Sequence, residues 1–181
     1  MLLVIVFFMG LAYNAYGQVT AKLPTSKKHT VHEGSSYDRK ASLVDSMETI
    51  VVCSPLRKPK TTSSFGIRRH PVTGRTSFHN GVDLTADDPV VMAMYRGIVV
   101  ETGEHPLLGI FIRIDHGGVH SIYGHLSACV AAVGDKVRAG QDIGILGRTG
   151  RATGIHLHFS VRIGTHYIDP IKFLLELQGN F

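Results

Sequence analysis

The 181-residue chain is 44% hydrophobic and carries 19 Lys and Arg against 14 Asp and Glu, a net charge of +5. That is too apolar for a disordered polar chain, and the length suits one globular domain with short extensions. The positive balance fits attraction to anionic polymers, yet charge alone does not separate a cell-wall polymer from nucleic acid, membrane headgroups or plain solubility.

Leu2 to Ala12 form an almost unbroken apolar run, followed by Tyr13-Asn14-Ala15-Tyr16-Gly17. The run is short for a bilayer span, and the small residues at 15 and 17 predict a signal peptide, residues 1–17, cleaved after Gly17. No Lys or Arg precedes the run, so a retained N-terminal anchor is the alternative. Residues 18–55 read as a spacer and domain entry: Gln18 to Arg39 is polar and without apolar periodicity, and Ala41 to Val52 suits a short helix or an entry strand.

Beyond Phe65 short β-like runs alternate with glycine turns: Val90 to Met94, Gly97 to Thr102, Ile110 to Asp115, His120 to His125, Asp142 to Leu146 and His156 to Ile163. This punctuation predicts an all-β fold. The one helical signal is terminal, where Asp169-Pro170 supplies an N-cap and a first-turn proline before Ile171 to Leu177. Neither an internal repeat nor a phosphate-cradling glycine loop is present. Cys53 and Cys129, the only cysteines, are either two free thiols or, outside the cytoplasm, a disulfide contributing about 4 kcal/mol.

Nine of the 11 histidines follow residue 65. In Phe78-His79-Asn80-Gly81-Val82-Asp83 an imidazole and a carboxylate flank a glycine that permits a tight bend. Nitrogen and oxygen ligands suit zinc, although the spacing equally fits a solvated surface turn. In Ile155-His156-Leu157-His158-Phe159 the strand period turns both imidazoles to one face and Ile155, Leu157 and Phe159 to the other. Two imidazoles side by side are costly to bury if charged, which favours a metal or catalytic use. A catalytic zinc takes three protein ligands and leaves one position open, so the two groups contain one imidazole more than needed. Tyr123-Gly124-His125-Leu126 adds another candidate. No His-Glu-x-x-His helix occurs.

The motifs Phe78-His79-x-Gly81-x-Asp83, Tyr123-Gly124-His125-Leu126 and Thr153-Gly154-x-His156-Leu157-His158-Phe159, with Ser64-Phe65-Gly66-x-Arg68 before them and Asp169-Pro170 after, resemble the lysostaphin and LytM-like zinc endopeptidases, the M23 peptidases. The resemblance covers roughly residues 60–175 and implies a compact, mainly antiparallel β-sheet fold with a central groove over a domain of residues 56–178. It further implies one Zn2+ per chain on His79, Asp83 and His158, with His125 and His156 as catalytic histidines. The activity implied is hydrolysis of peptide bonds in bacterial peptidoglycan, at the cross-bridge or stem. The expected setting is extracytoplasmic, for a monomer acting on peptidoglycan peptides, with an envelope protein as a further partner and neither nucleic acid nor, after signal cleavage, a membrane span. Two alternatives remain open at this point: a non-catalytic wall-binding or hydrolase-activating module of the same fold, and thiol chemistry by Cys129 beside His125.

Overall fold

The computed structural model describes residues 11–13, 19–21, 51–69 and 76–178. The chain divides into two units, Met1–Ile50 and Val51–Phe181. In the first, β1 (Leu11–Tyr13) pairs antiparallel with β2 (Val19–Ala21). The processing site at Ala15 to Gly17, the rest of the spacer and all of Ala41 to Val52 except its last two residues lie outside the described residues; Val51 and Val52 take no regular structure. Among the described residues no helix is long and apolar enough to cross a membrane.

The second unit is built on a ten-stranded antiparallel sheet. Its strands are β3 (Lys60–Ser63), β6 (Val82–Thr85), β7 (Val90–Met92), β8 (Gly97–His105), β9 (Gly109–Asp115), β10 (Val119–Cys129), β11 (Lys136–Val137), β12 (Asp142–Leu146), β13 (Leu157–Ile163) and β14 (His166–Ile168). The main path runs β11-β8-β9-β10-β13-β6-β3, while β12 joins β10 to β7 and β14 lies beside β13. A separate ribbon pairs β4 (Gly66–Arg69) with β5 (Thr76–His79). The six predicted runs all fall in this set, Asp142 to Leu146 with the expected bounds and the other five with shifted ends. The short strands at the start of the domain escape the sequence because Lys60–Ser63 and Thr76–His79 are mostly exposed and carry no apolar alternation.

Alternation explains the core. Leu157, Phe159 and Val161 on β13, Ile112 and Ile114 on β9, and Val82 and Leu84 on β6 are all essentially inaccessible. They form one apolar sheet face, packed with Val91, Ile143 and Met94, and each such side chain contributes about 1.5–3 kcal/mol when fully buried. The helix α1 (Pro170–Leu177) adds Leu174 to this core. It starts where expected because Asp169 Oδ1 accepts from the amides of Ile171 (3.0 Å) and Lys172 (3.3 Å) and Pro170 needs no partner.

Strand β10 changes partners along its length. Its first half lies between β9 and β13, its second half pairs with β12, and register shifts flank Leu126 in the β9 and β12 ladders. His125 sits at this irregularity with φ 62°, a left-handed conformation rare for a residue with a Cβ.

Between β9 and β10 a mostly buried histidine links the turn to the strand. His116 Nδ1–H donates to Arg96 O (2.8 Å), and its Nε2 accepts from Ser121 Oγ (2.7 Å). Burial pushes the His116 pKa below the ordinary histidine value. In the window just below about pH 6.5 the unfolded chain therefore binds more protons than the native one, so stability is present above that window and lost as pH falls through it. Urea unfolding between about pH 7 and pH 5 should show a falling midpoint, with this residue adding up to about 1.4 kcal/mol per pH unit. His116→Asn keeps a donor for Arg96 but cannot titrate, so its midpoint should fall less. Equal falls in the two proteins would refute the assignment.

Candidate metal centre

Register brings the first two residues together. His158 on β13 lies directly opposite Asp83 on β6, and its Nδ1 is 3.0 Å from Asp83 Oδ1. His79 ends β5, and the Asn80-Gly81 corner carries the chain into β6, returning His79 Nε2 to 3.1 Å from the same carboxylate oxygen. The two ring nitrogens are themselves 3.1 Å apart. Gly81 is not among the residues with positive φ, so the bend is not what requires glycine there. A Cβ at this position would stand 2.5 Å from Phe159 O and 2.9 Å from the His158 ring, so close approach to β13 excludes any side chain.

His79, Asp83 and His158 are the one His/Cys/Asp/Glu group among the described residues whose ligand atoms converge as a metal would need. Three donors on a tetrahedral ion with bonds of 2.0–2.1 Å stand about 3.3 Å apart, close to the observed triangle. The tautomer also suits. His79 Nδ1–H donates to Ser64 O (2.9 Å), which leaves the Nε2 lone pair facing the triangle. Burial opposes ionisation of Asp83, but the adjoining imidazoles of His158 and His79 outweigh it and hold the carboxyl well below the usual carboxylate range. Arg68 Nη1 stands 3.7 Å from the second carboxylate oxygen and donates to Ser63 Oγ (2.7 Å).

Two further histidines border the triangle. The His125 and His156 ring centroids are 4.7 Å apart, and His125 is 5.9 Å from His158. His156 Nε2 lies 3.8 Å from Asp83 Oδ1. Each commits its Nδ1–H to a backbone carbonyl, His125 to Thr149 O and His156 to Gly154 O, both at 2.9 Å. In the neutral ring Nε2 is then the nitrogen with a free lone pair. Burial lowers the His125 pKa, which keeps that ring neutral near pH 7. Gly124 gives His125 its place, because a Cβ there would press on Leu108 at 3.1 Å while His125 N donates to Leu108 O.

One expectation fails at this site. Ile155 is 66% exposed, because β13 begins only at Leu157 and the chain before it makes a single bridge, His156 to Gly147. Leu157 and Phe159 do enter the core. The sequence also gives no hint of Thr149, whose carbonyl orients His125 and whose hydroxyl joins Leu126 O (2.7 Å) to Ile110 N (2.9 Å). It reads only as a residue in a glycine-marked turn. Cys53 and Cys129 are free thiols. Burial raises the Cys129 pKa, so it remains a protonated thiol bonded to Phe111 O, which disposes of the thiol mechanism.

Residues 77–170 match the model of peptidase family M23. The chain belongs to this family. It is 36% identical over 154 residues to the peptidoglycan DD-endopeptidase ShyA of Vibrio cholerae, covering 82% of this chain and 35% of that protein. The M23 chain thus spans about a third of the length of such relatives. Among solved structures it resembles a zinc-containing peptidase from Vibrio cholerae (38% identity, TM-score 0.59, 64% of this chain and 37% of the other). It also resembles the catalytic domain of lysostaphin from Staphylococcus simulans (33% identity, TM-score 0.57), where the likeness covers 64% of this M23 chain and 91% of that domain. The mainly antiparallel sheet with a short C-terminal helix is therefore the family fold.

Proposed function

We propose that this chain is a zinc-dependent endopeptidase that hydrolyses peptide bonds in bacterial peptidoglycan outside the cytoplasm, its first 17 residues serving export and the stretch to residue 55 leading into the domain. The observation that carries this reading is the triangle of buried His79 and His158 with the partly buried Asp83, with edges of 3.0–3.1 Å and two more imidazoles against it. Relatives named as peptidoglycan DD-endopeptidases support the substrate class and point to a bond between D-configured residues. Held by the three groups, zinc would supply an electrophile that polarises a carbonyl and makes water acidic near neutral pH.

The remaining work falls to the chain. With no glutamate placed as general base among the described residues, His125 and His156 are the groups that move the proton from attacking water towards the leaving amine. In the neutral form Nε2 accepts a proton, and once protonated it donates one. The same N–H hydrogen-bonds the oxyanion that develops on the carbonyl. The backbone carbonyls of Thr149 and Gly154 fix both tautomers, so neither ring must reorient during turnover.

Protein purified without chelators should hold about one zinc per chain, as a three-ligand catalytic site does. Elemental analysis measures this, and release of fragments from cell walls should stop on chelation and return with zinc. A metal content near zero that zinc does not restore would overturn the metal assignment.

A further inference from the structure

The residues of β13 that share the face of His158 continue away from the metal triangle as Ser160 and Arg162, since Leu157, Phe159 and Val161 occupy the core side. Pairing extends each position into a row across the sheet. Ser160 lies opposite Ile122, Ile122 opposite Arg113, and Arg113 opposite Glu101. In the next row Arg162 lies opposite both His120 and Tyr167, and His120 lies opposite Asp115. At about 3.3 Å per residue, Arg162 is about 13 Å along the strand from His158.

Three described residues have a buried side-chain nitrogen without a hydrogen-bond partner: Arg113 and Arg162 at Nε, and His120 at Nδ1. All three belong to these two rows. A buried polar group left unpaired costs about 1–3 kcal/mol, and all three of these stand on one face. The acids nearby are already engaged. Glu101 receives Arg113 Nη1 at 2.6 Å, and Asp115 Oδ1 accepts the amides of Gly117 (3.0 Å) and Gly118 (2.9 Å). Arg162 has no acidic partner among the described residues and is half-buried. A guanidinium stripped of part of its water, with no counterion of its own, is suited to a carboxylate, which its fork of donors can grip at two points.

We propose that Arg162, with His120 and Arg113 beside it, forms a carboxylate-binding subsite on the same sheet face as the metal triangle. It holds an acidic group of the substrate at a distance from the scissile bond, outside the metal triangle. The inference rests on the peptidase reading of the site and adds to it a determinant of substrate choice.

The test uses the full zinc-loaded chain and a soluble cross-linked muropeptide dimer, with its carboxylates free or converted to amides. Amidation should raise KM about tenfold or more for the unmodified protein while changing kcat little, as for loss of a charged hydrogen bond outside the reacting centre. Arg162→Gln should show the raised KM already with the free acid, and amidation should then have no further effect. Arg162→Lys, which keeps the charge without the fork, should fall between. An unchanged KM on amidation, or an equal rise in Arg162→Gln, overturns the subsite. Binding is read apart from turnover through the arginine Nε–H resonances in 1H–15N spectra, assigned with the same variants. A shift at Arg162 from a dimer that is bound and never cut would sink the peptidase reading and keep the subsite. Cleavage without any such shift would do the reverse.

Discussion

His158→Ala is expected to lose its zinc and its turnover together. The substitution removes Nδ1, one corner of the triangle, and leaves His79 Nε2 and Asp83 Oδ1 as a pair at 3.1 Å that supplies two ligands where a catalytic site needs three. Even changes in groups that only support metal ligands lower affinity or activity by about 10- to 100-fold, so removing a ligand should cost more than about 100-fold. Elemental analysis and a turnover assay on the same preparation decide it. Full zinc content in folded His158→Ala would mean that another nitrogen holds the metal.

His156→Ala should behave differently although the two residues are neighbours on one face. His156 reaches Asp83 Oδ1 only at 3.8 Å and keeps its Nδ1–H on Gly154 O. Its loss leaves the triangle intact, so most of the zinc should remain while kcat falls by about a hundredfold or more, the usual scale for a placed acid, base or oxyanion donor. His125→Ala should match it, for the same reason. Circular dichroism must first show the native β signal in each variant. Loss of zinc from His156→Ala with retention in His158→Ala would invert the two roles, and full activity in both would end the enzyme reading.

Much of the fold was legible because it is written locally. The two-residue alternation of Leu157, Phe159 and Val161 marks a strand wherever it pairs, and Asp169-Pro170 caps a helix through contacts that reach only to Lys172. The candidate site was legible in a different way. Spacing showed that His79 and Asp83, and His156 and His158, each suit a metal, but the division into three ligands and two catalytic histidines came from the family motifs. Ile155 went astray because alternation extrapolates past a strand end that only the β13 pairings define.

The sequence by itself determined where the apolar strands run, where α1 begins and which side chains suit a metal, since these depend on backbone preference, side-chain period and ligand chemistry within a few residues. Only the tertiary structure decided that His158 stands opposite Asp83, across 75 residues of chain, and that the carbonyls of Ser64 and Thr149 fix the rings of His79 and His125. It also decided that Arg113, His120 and Arg162 share the sheet face of His158. These depend on register: a slip of one residue would send every side chain of a strand to the opposite face, and what sets the register is burial of the whole apolar surface and the irregularity in β10.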